Sequence, residues 1–287
     1  METILVTGGN GLLAYALKEI VPPGFVFLGR DEFDLARPDG MEQRLAEIKP
    51  AVVINTAAYN LVDRCEIERD LSWSINATGP EQLAVLCARR GIRLVHYGTD
   101  YVFDGQKKSP YSETDLPNPL NHYAAGKLAG EQAVLRASDR HLVLRTSWVF
   151  GWHPTQAKTF VHTILKAVRE GRALKATTDQ VSAPTYAPDL AAWTLELVRG
   201  GAGGLFHAVN DEGVSRFDWA EAIVAGALEA GLIREAPVVE PVLSSYFSAT
   251  MRRPDYTVLG NDKLRKRLGR PVGSWRPGLR KMLAQIR

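Results

Sequence analysis

Cysteine is scarce in this chain: Cys65 and Cys87 are the two among 287 residues. They have neither C-x-x-C nor zinc-finger spacing, which excludes a disulfide framework and a cysteine metal finger. They read as reduced thiols of a cytoplasmic protein. A surplus of one charge is missing too, with 35 Lys and Arg against 32 Asp and Glu, a formal charge of +3. No basic block is interleaved with aromatics, so no nucleic-acid footprint is visible. The most basic run, Lys263-Leu-Arg-Lys-Arg267, reads as the solvated face of a short C-terminal helix. No apolar run approaches the ~18 residues of a membrane helix. The first strand follows Met1 with no basic-then-apolar leader, so cytoplasm is the expected location and no membrane partner is expected. Internal repeats and low-complexity tracts are lacking as well.

What the chain does have is a globular balance, 45% hydrophobic and 23% charged. Its length suits one large domain or two of ordinary size. Short apolar runs at Thr3–Thr7, Phe25–Leu28, Val52–Asn55, Arg93–Tyr97 and His141–Arg145 read as strands. Helical patterns at Gly11–Ile20, Met41–Lys49, Leu71–Arg90 and Tyr123–Ala137 separate them. The strands are near-continuously apolar, as they are where helices cover both faces of a sheet. This β-α alternation predicts an α/β fold, a Rossmann-like doubly wound parallel sheet. Beyond Arg145 the rhythm loosens. A helix is expected over Thr159–Glu170, a short strand over Leu174–Ala176, and a helix over Asp189–Val198. Ser215 followed by Asp218 has the form of a capping box opening a further helix.

The first strand runs directly into Gly8-Gly9-Asn10-Gly11-Leu12-Leu13-Ala14. Glycines at this junction let the backbone turn sharply and approach a pyrophosphate resting against the next helix. At the end of the second strand, an acid would hold a ribose 2′-hydroxyl and an Arg would accommodate a 2′-phosphate. Arg30 followed by Asp31 leans the choice towards NADPH and leaves NADH open. Asp34 and Leu35 are candidate adenine contacts, and Ala57 and Ala58 are small enough to let a cofactor cross the sheet.

Thr99 ends the fourth strand, where ligands of open α/β sheets bind. Tyr123 and Lys127 stand one turn apart on the same helix face, after a loop holding Pro110, Pro117 and Pro119. A phenol ordinarily keeps its proton to pH ~10. A neighbouring ammonium is expected to lower that value and make the phenol a usable acid.

With these motifs the chain resembles the extended short-chain dehydrogenase/reductases, and within them the dTDP-4-dehydrorhamnose reductases. The resemblance runs through nearly the whole length. It rests on Gly8-x-x-Gly11, Asn55-Thr-Ala-Ala-Tyr59 with Val62-Asp63, Asn76-Ala-Thr-Gly79 and His96-Tyr-Gly-Thr-Asp-Tyr-Val-Phe-Asp-Gly105. It continues with Asn121-x-Tyr123-x-x-x-Lys127-x-x-Gly130-Glu131, Arg145-Thr-Ser-Trp148-Val-Phe-Gly151, Asp179-Gln180-x-x-x-Pro184-Thr185 and Arg253-Pro254.

The resemblance implies NAD(P)H-dependent reduction of the C4 keto group of a dTDP-6-deoxy-4-ketohexose, dTDP-4-dehydro-L-rhamnose first. Tyr123 would donate the proton, Lys127 would hold the nicotinamide ribose and tune the phenol, and Thr99 would bond the carbonyl oxygen. Asp100 and Tyr101 would lie beside the sugar, and Trp148 would wall the pyranose. Arg253 would meet the diphosphate, and Tyr59 would join Ala57 and Ala58 at the cofactor. The expected division is a nucleotide-binding domain over 1–151, with 173–200 returning to it. A smaller substrate-binding domain covers 152–172 and 201–287.

A homodimer is left open. No metal is expected: Ala14-Tyr-Ala-Leu17 carries no acid, and Asp63 with Glu66 reads as solvated surface. Two positions depart from the family pattern, Gly98 where Ser is usual and Ser182 where Gly is usual. Two other readings compete with the reductase. One is a cofactor-binding regulatory subunit of the methionine adenosyltransferase type, against which the intact Thr99, Tyr123 and Lys127 argue. The other is an epimerase or dehydratase of the same superfamily, and the single acid after Thr99 argues against dehydration.

Overall fold

In a computed structural model, residues 2–156, 159–247 and 251–286 are described. The strands are β1 (Ile4–Thr7), β2 (Phe25–Leu28), β3 (Val52–Asn55), β4 (Arg93–Thr99), β5 (Leu142–Thr146), β6 (Val149–Phe150), β7 (Leu174–Thr177), β8 (Val181–Ser182), β9 (Thr185–Tyr186), β10 (Gly204–His207), β11 (Val214–Ser215) and β12 (Val239–Val242). The helices are α1 (Leu12–Lys18), α2 (Pro38–Ile48), α3 (Arg69–Trp73), α4 (Gly79–Arg89), α5 (His122–Ala137), α6 (Phe160–Arg169), α7 (Ala187–Arg199), α8 (Arg216–Glu229), α9 (Asp262–Leu268) and α10 (Arg276–Gln285).

Six strands pair in parallel in the order β10-β5-β4-β3-β1-β2. Side chains alternate between the faces of a strand, and both faces here are apolar. Val6, Ile54 and Val95 pack with Leu17 of α1 and Leu190 and Trp193 of α7. Their neighbours Leu5, Val53 and Leu94 pack with Met41 and Leu45 of α2 and Leu83 of α4. That double burial explains why the strands carry no polar alternation, and it yields the doubly wound sheet read from the sequence. The strand order reverses between β1 and β3, the place where such sheets bind ligands.

A second core gathers on the chain beyond β5. Trp219 and Ile223 of α8, Val161 and Leu165 of α6, and Met282 and Leu283 of α10 close around Phe150. The Ser215 hydroxyl and the Asp218 backbone and side chain complete the capping box of α8.

The expected division of the chain is corrected at two places. Gly204–His207 was assigned to the smaller domain, yet it pairs with β5 as the sixth strand of the main sheet. Conversely β7 was assigned to the larger domain, yet it pairs with β12 beside α8. A short strand joins whichever edge is open to it, and nothing in four residues of local pattern says which edge that is. The long helix expected over Leu71–Arg90 is also interrupted, by a π-turn over Ser74–Thr78.

Candidate active site

The glycine turn laces three strand ends together. Gly8 adopts a φ of 67°, and a Cβ there would sit 2.8 Å from the Ala57 backbone nitrogen. Only glycine fits, and the bare backbone is left to face a ligand. Gly9 N donates to the Leu28 carbonyl at 2.8 Å, and Gly11 N to the Gly8 carbonyl at 2.8 Å. Thr7 Oγ1 donates to Asn55 Oδ1 at 2.6 Å, tying β1 to β3 at the reversal. Asn10 is exposed at the tip, its carbonyl accepting from Gln156 Nε2, and Leu12 opens α1 half-buried.

Past β2, the Arg30 side chain is 64% exposed, with Nε 3.8 Å from Asp34 Oδ2. The Leu35 side chain lies buried among Phe33, Met41 and Leu83. Ala57 and Ala58 are half-buried beside the turn. Tyr59 is clamped by Asn76, whose Oδ1 accepts from Tyr59 N at 2.9 Å while Nδ2 donates to Tyr59 O at 3.0 Å. The Tyr59 phenol donates to Glu68.

Thr99 closes β4 and caps the turn after it, its Oγ1 accepting from Tyr101 N at 3.2 Å and donating to Asp100 Oδ1 at 3.2 Å. Helix α5 is aimed at the same edge by Asn121, whose Oδ1 accepts from Ala124 N at 2.9 Å. Glu66 Oε1 accepts from His122 N at 2.7 Å. Glu66 therefore holds the start of α5, and Asp63 pairs with Arg253. Tyr123 and Lys127 follow on one buried face of the helix. The Tyr123 hydroxyl lies 3.5 Å from Asn60 Oδ1, an acceptor that sequence reading passed over because asparagine at a loop start has no distinguishing pattern. Lys127 Nζ donates to the Tyr97 carbonyl at 2.6 Å.

The expected acidification of the phenol is not what this geometry gives. Burial raises the Tyr123 pKa well above the ordinary phenol value, the Thr99 hydroxyl works against that rise, and the Asp100 charge adds to it. Lys127 is instead the perturbed base: burial pulls it from 10.5 to about 8, against the opposing charge of Glu131. The ammonium is turned to the Tyr97 carbonyl, and desolvation governs the phenol.

Asp100, expected beside the sugar, is buried in the structure. It is 2% exposed, and hydroxyls take up its carboxylate: Thr99 at 3.2 Å, Ser182 at 2.9 Å and Thr257 at 2.5 Å. Burial raises its pKa, and those hydrogen bonds oppose the rise. Its acidity is thus spent on holding β4, β8 and the 257 segment together. Tyr101 stands in front of it, its ring edge-on to Tyr123 with centroids 6.2 Å apart.

Beside this edge opens a cavity of about 1140 Å³, lined among others by Asn60, Asp63, Trp148, Phe160, Arg216 and Arg253. Trp148 holds a left-handed φ of 40°, a conformation non-glycine residues seldom adopt. Its ring stacks on Trp219 with centroids 5.4 Å apart, and the Arg216 guanidinium lies 3.5 Å from its centroid. The indole is therefore both packing and wall. Arg253 Nη2 donates to both oxygens of Asp63, at 2.9 and 2.8 Å, in a pair open to solvent. Arg216 was not foreseen, because a single arginine at a helix start carries no local mark.

A parallel doubly wound sheet, a glycine turn at the strand reversal and a Thr–Tyr–Lys set at the carboxyl edge define a Rossmann-fold oxidoreductase of the short-chain dehydrogenase/reductase class. Comparison with known proteins narrows the class. The RmlD substrate binding domain family matches residues 1–287, and the chain belongs to that family. It is 36% identical to a dTDP-4-dehydrorhamnose reductase of Burkholderia thailandensis, covering 95% of each chain. It is also 36% identical to the Mycobacterium tuberculosis enzyme of the same name, over 99% of this chain and 93% of that one. A crystal structure of dTDP-4-dehydrorhamnose reductase from Bacillus anthracis in complex with NADP superposes with a TM-score of 0.91, at 32% identity and 99% coverage of both chains.

Proposed function

We propose that this chain reduces the C4 keto group of a dTDP-6-deoxy-4-ketohexose, dTDP-4-dehydro-L-rhamnose to dTDP-L-rhamnose before others, using NADPH or NADH in the cytoplasm. The observation that carries the reading is the convergence of Thr99, Tyr123 and Lys127 on one sheet edge beside a large cavity. The Gly8 turn, with no room for a Cβ, fits a pyrophosphate. Arg30, exposed beyond β2, would meet the 2′-phosphate that distinguishes NADPH. When bound, the nicotinamide supplies the hydride that reaches C4.

The chain's own groups manage the charge that develops on the carbonyl oxygen. Thr99 offers a hydroxyl to that oxygen, and a donor aimed there stabilises an alkoxide more than a ketone. Tyr123 then gives it a proton. A phenol held above its ordinary pKa stays protonated at neutral pH and yields only to a stronger base, which an alkoxide is. Lys127 spends one N–H on the Tyr97 carbonyl and keeps two for ribose hydroxyls. With its pKa near 8 it remains cationic at neutral pH. Trp148 walls the sugar. The cluster around Trp219, with α6, α8 and α10, acts as the substrate-binding lobe.

The test is replacement of the proton donor. Tyr123→Phe should lower turnover by about 10²–10⁴-fold while NADPH affinity stays close to wild type. Consumption of NADPH and NADH is followed against a panel of nucleotide 4-keto sugars, with products identified by NMR. Near-wild-type turnover in the variant, or no turnover of any 4-keto sugar by the wild type, would sink the reading.

A further inference from the structure

Arg216 is a cation without an acid. It opens α8 half-buried in the cavity wall, its guanidinium carbon 3.5 Å from the Trp148 ring centroid, 4.8 Å from Phe160 and 5.5 Å from Trp219. Among the described residues no carboxylate oxygen lies within 4.0 Å of it, whereas Arg253 on the same wall is paired with Asp63. The nearby acid, Asp100, is already engaged by Thr99, Ser182 and Thr257. The phenol of Tyr101, a neutral group, is near enough to raise the Arg216 pKa against burial. Burial and the charge of Arg253 pull its pKa down to about 10, so it is charged at neutral pH.

Aromatic surfaces desolvate a guanidinium and hold it in one pose. Without a paired anion, such a cation recovers only part of the cost of burial. Other basic side chains on this wall do have acids, Arg64 pairing with Glu68, Lys175 with Glu240 and Arg253 with Asp63. A planar fork of donors pre-ordered in this way matches phosphate oxygens better than any other common group.

We propose that Arg216 is the anchor for the diphosphate of the nucleotide-sugar, held for that purpose by Trp148, Phe160 and Trp219, and that it sets the affinity for the substrate. The inference rests on the nucleotide-sugar reading above. Tyr101 links the anchor to the chemistry, since its phenol and Arg216 shift each other's pKa while its ring stands edge-on to Tyr123. One side chain thus separates the anion from the proton donor, a span that suits a single sugar ring.

The test is calorimetric binding of dTDP and of thymidine to the NADPH-loaded full chain, with steady-state kinetics alongside, for wild type, Arg216→Gln and Arg216→Lys. Arg216→Gln should weaken dTDP binding by about 10–100-fold and raise KM similarly, with thymidine binding and NADPH affinity retained. Arg216→Lys, keeping the charge without the fork, should fall between. Equal dTDP affinity in wild type and Arg216→Gln overturns the proposal, as does parallel loss of thymidine and dTDP, which would mark a packing role. Selective loss of dTDP in a chain that turns over no 4-keto sugar would uphold the anchor and discard the reduction. A wild type that binds no dTDP discards both.

Discussion

Gly98 and Ser182, the two residues that break the family pattern, both have physical reasons inside the structure. A Cβ on Gly98 would lie 2.8 Å from Glu131 Oε2 and 3.0 Å from Arg145 Cγ. Those atoms belong to a buried bidentate pair, with Arg145 Nε 2.9 Å from Glu131 Oε2 and Nη2 2.6 Å from Oε1. Glu131 in turn lies one turn beyond Lys127 and raises its pKa against burial. Gly98→Ser should therefore cost about 1–3 kcal/mol by overpacking, read as a lower urea midpoint at unchanged m-value. A variant as stable as wild type would show that the pair moves aside freely. Ser182, for its part, supplies one of the hydroxyls on Asp100. A glycine there would leave a buried carboxylate one donor short.

Helix α5 matters through its first turn, because that turn carries Tyr123. Asn121 caps it with Oδ1 and, through Nδ2, donates to the Arg252 carbonyl at 3.1 Å. The cap therefore ties α5 to the segment that brings Arg253 to the cavity. Asn121→Ala should cost about 0.5–2 kcal/mol of stability. Because the helix start is also an alignment device, kcat should drop at temperatures where the variant is still folded. Denaturant unfolding and kcat measured together decide it: lost stability with unchanged kcat would reduce Asn121 to an ordinary cap.

For the whole molecule, buried bases set the dependence of stability on pH. Burial is the main cause that lowers the pKa of His207 from 6.5 to about 3, and burial also lowers His96 and His141. Below pH 6.5 the unfolded chain takes up protons that these folded imidazoles refuse, so stability is lost as pH falls. Between pH 6.5 and 5 the loss should be roughly 1–3 kcal/mol per pH unit, measured by urea unfolding. Lys127 acts at the other end. Its folded value near 8 lies below its ordinary 10.5, so between pH 8 and 9 the unfolded chain holds a proton the folded one releases, and stability rises. Above that, Cys87, raised from 9.0 to about 12 by burial, works the other way. Lys127→Met should remove the rise between pH 8 and 9; an identical profile in both proteins would place the titration elsewhere.

Strand identity, the β-α alternation, the glycine turn and the Thr99, Tyr123 and Lys127 set were all legible in the chain. Each is written in a short stretch: continuous apolar runs for strands buried on two faces, a turn that only glycine can make, a pair spaced by one helical turn. Other features depend on neighbours far away in sequence. Asp100 became a buried tie because Thr257, 157 positions on, reaches its carboxylate. Leu35 sank into the core because α2 and α4 cover it. The 204–207 segment became a sheet strand because β5 offered an open edge. The phenol rose in pKa rather than falling, and Arg216 joined Trp148 in the cavity wall, because desolvation and charge act through space and not along the chain. Local pattern specifies backbone form and reaction type; burial, pairing and charge exist only once distant segments meet.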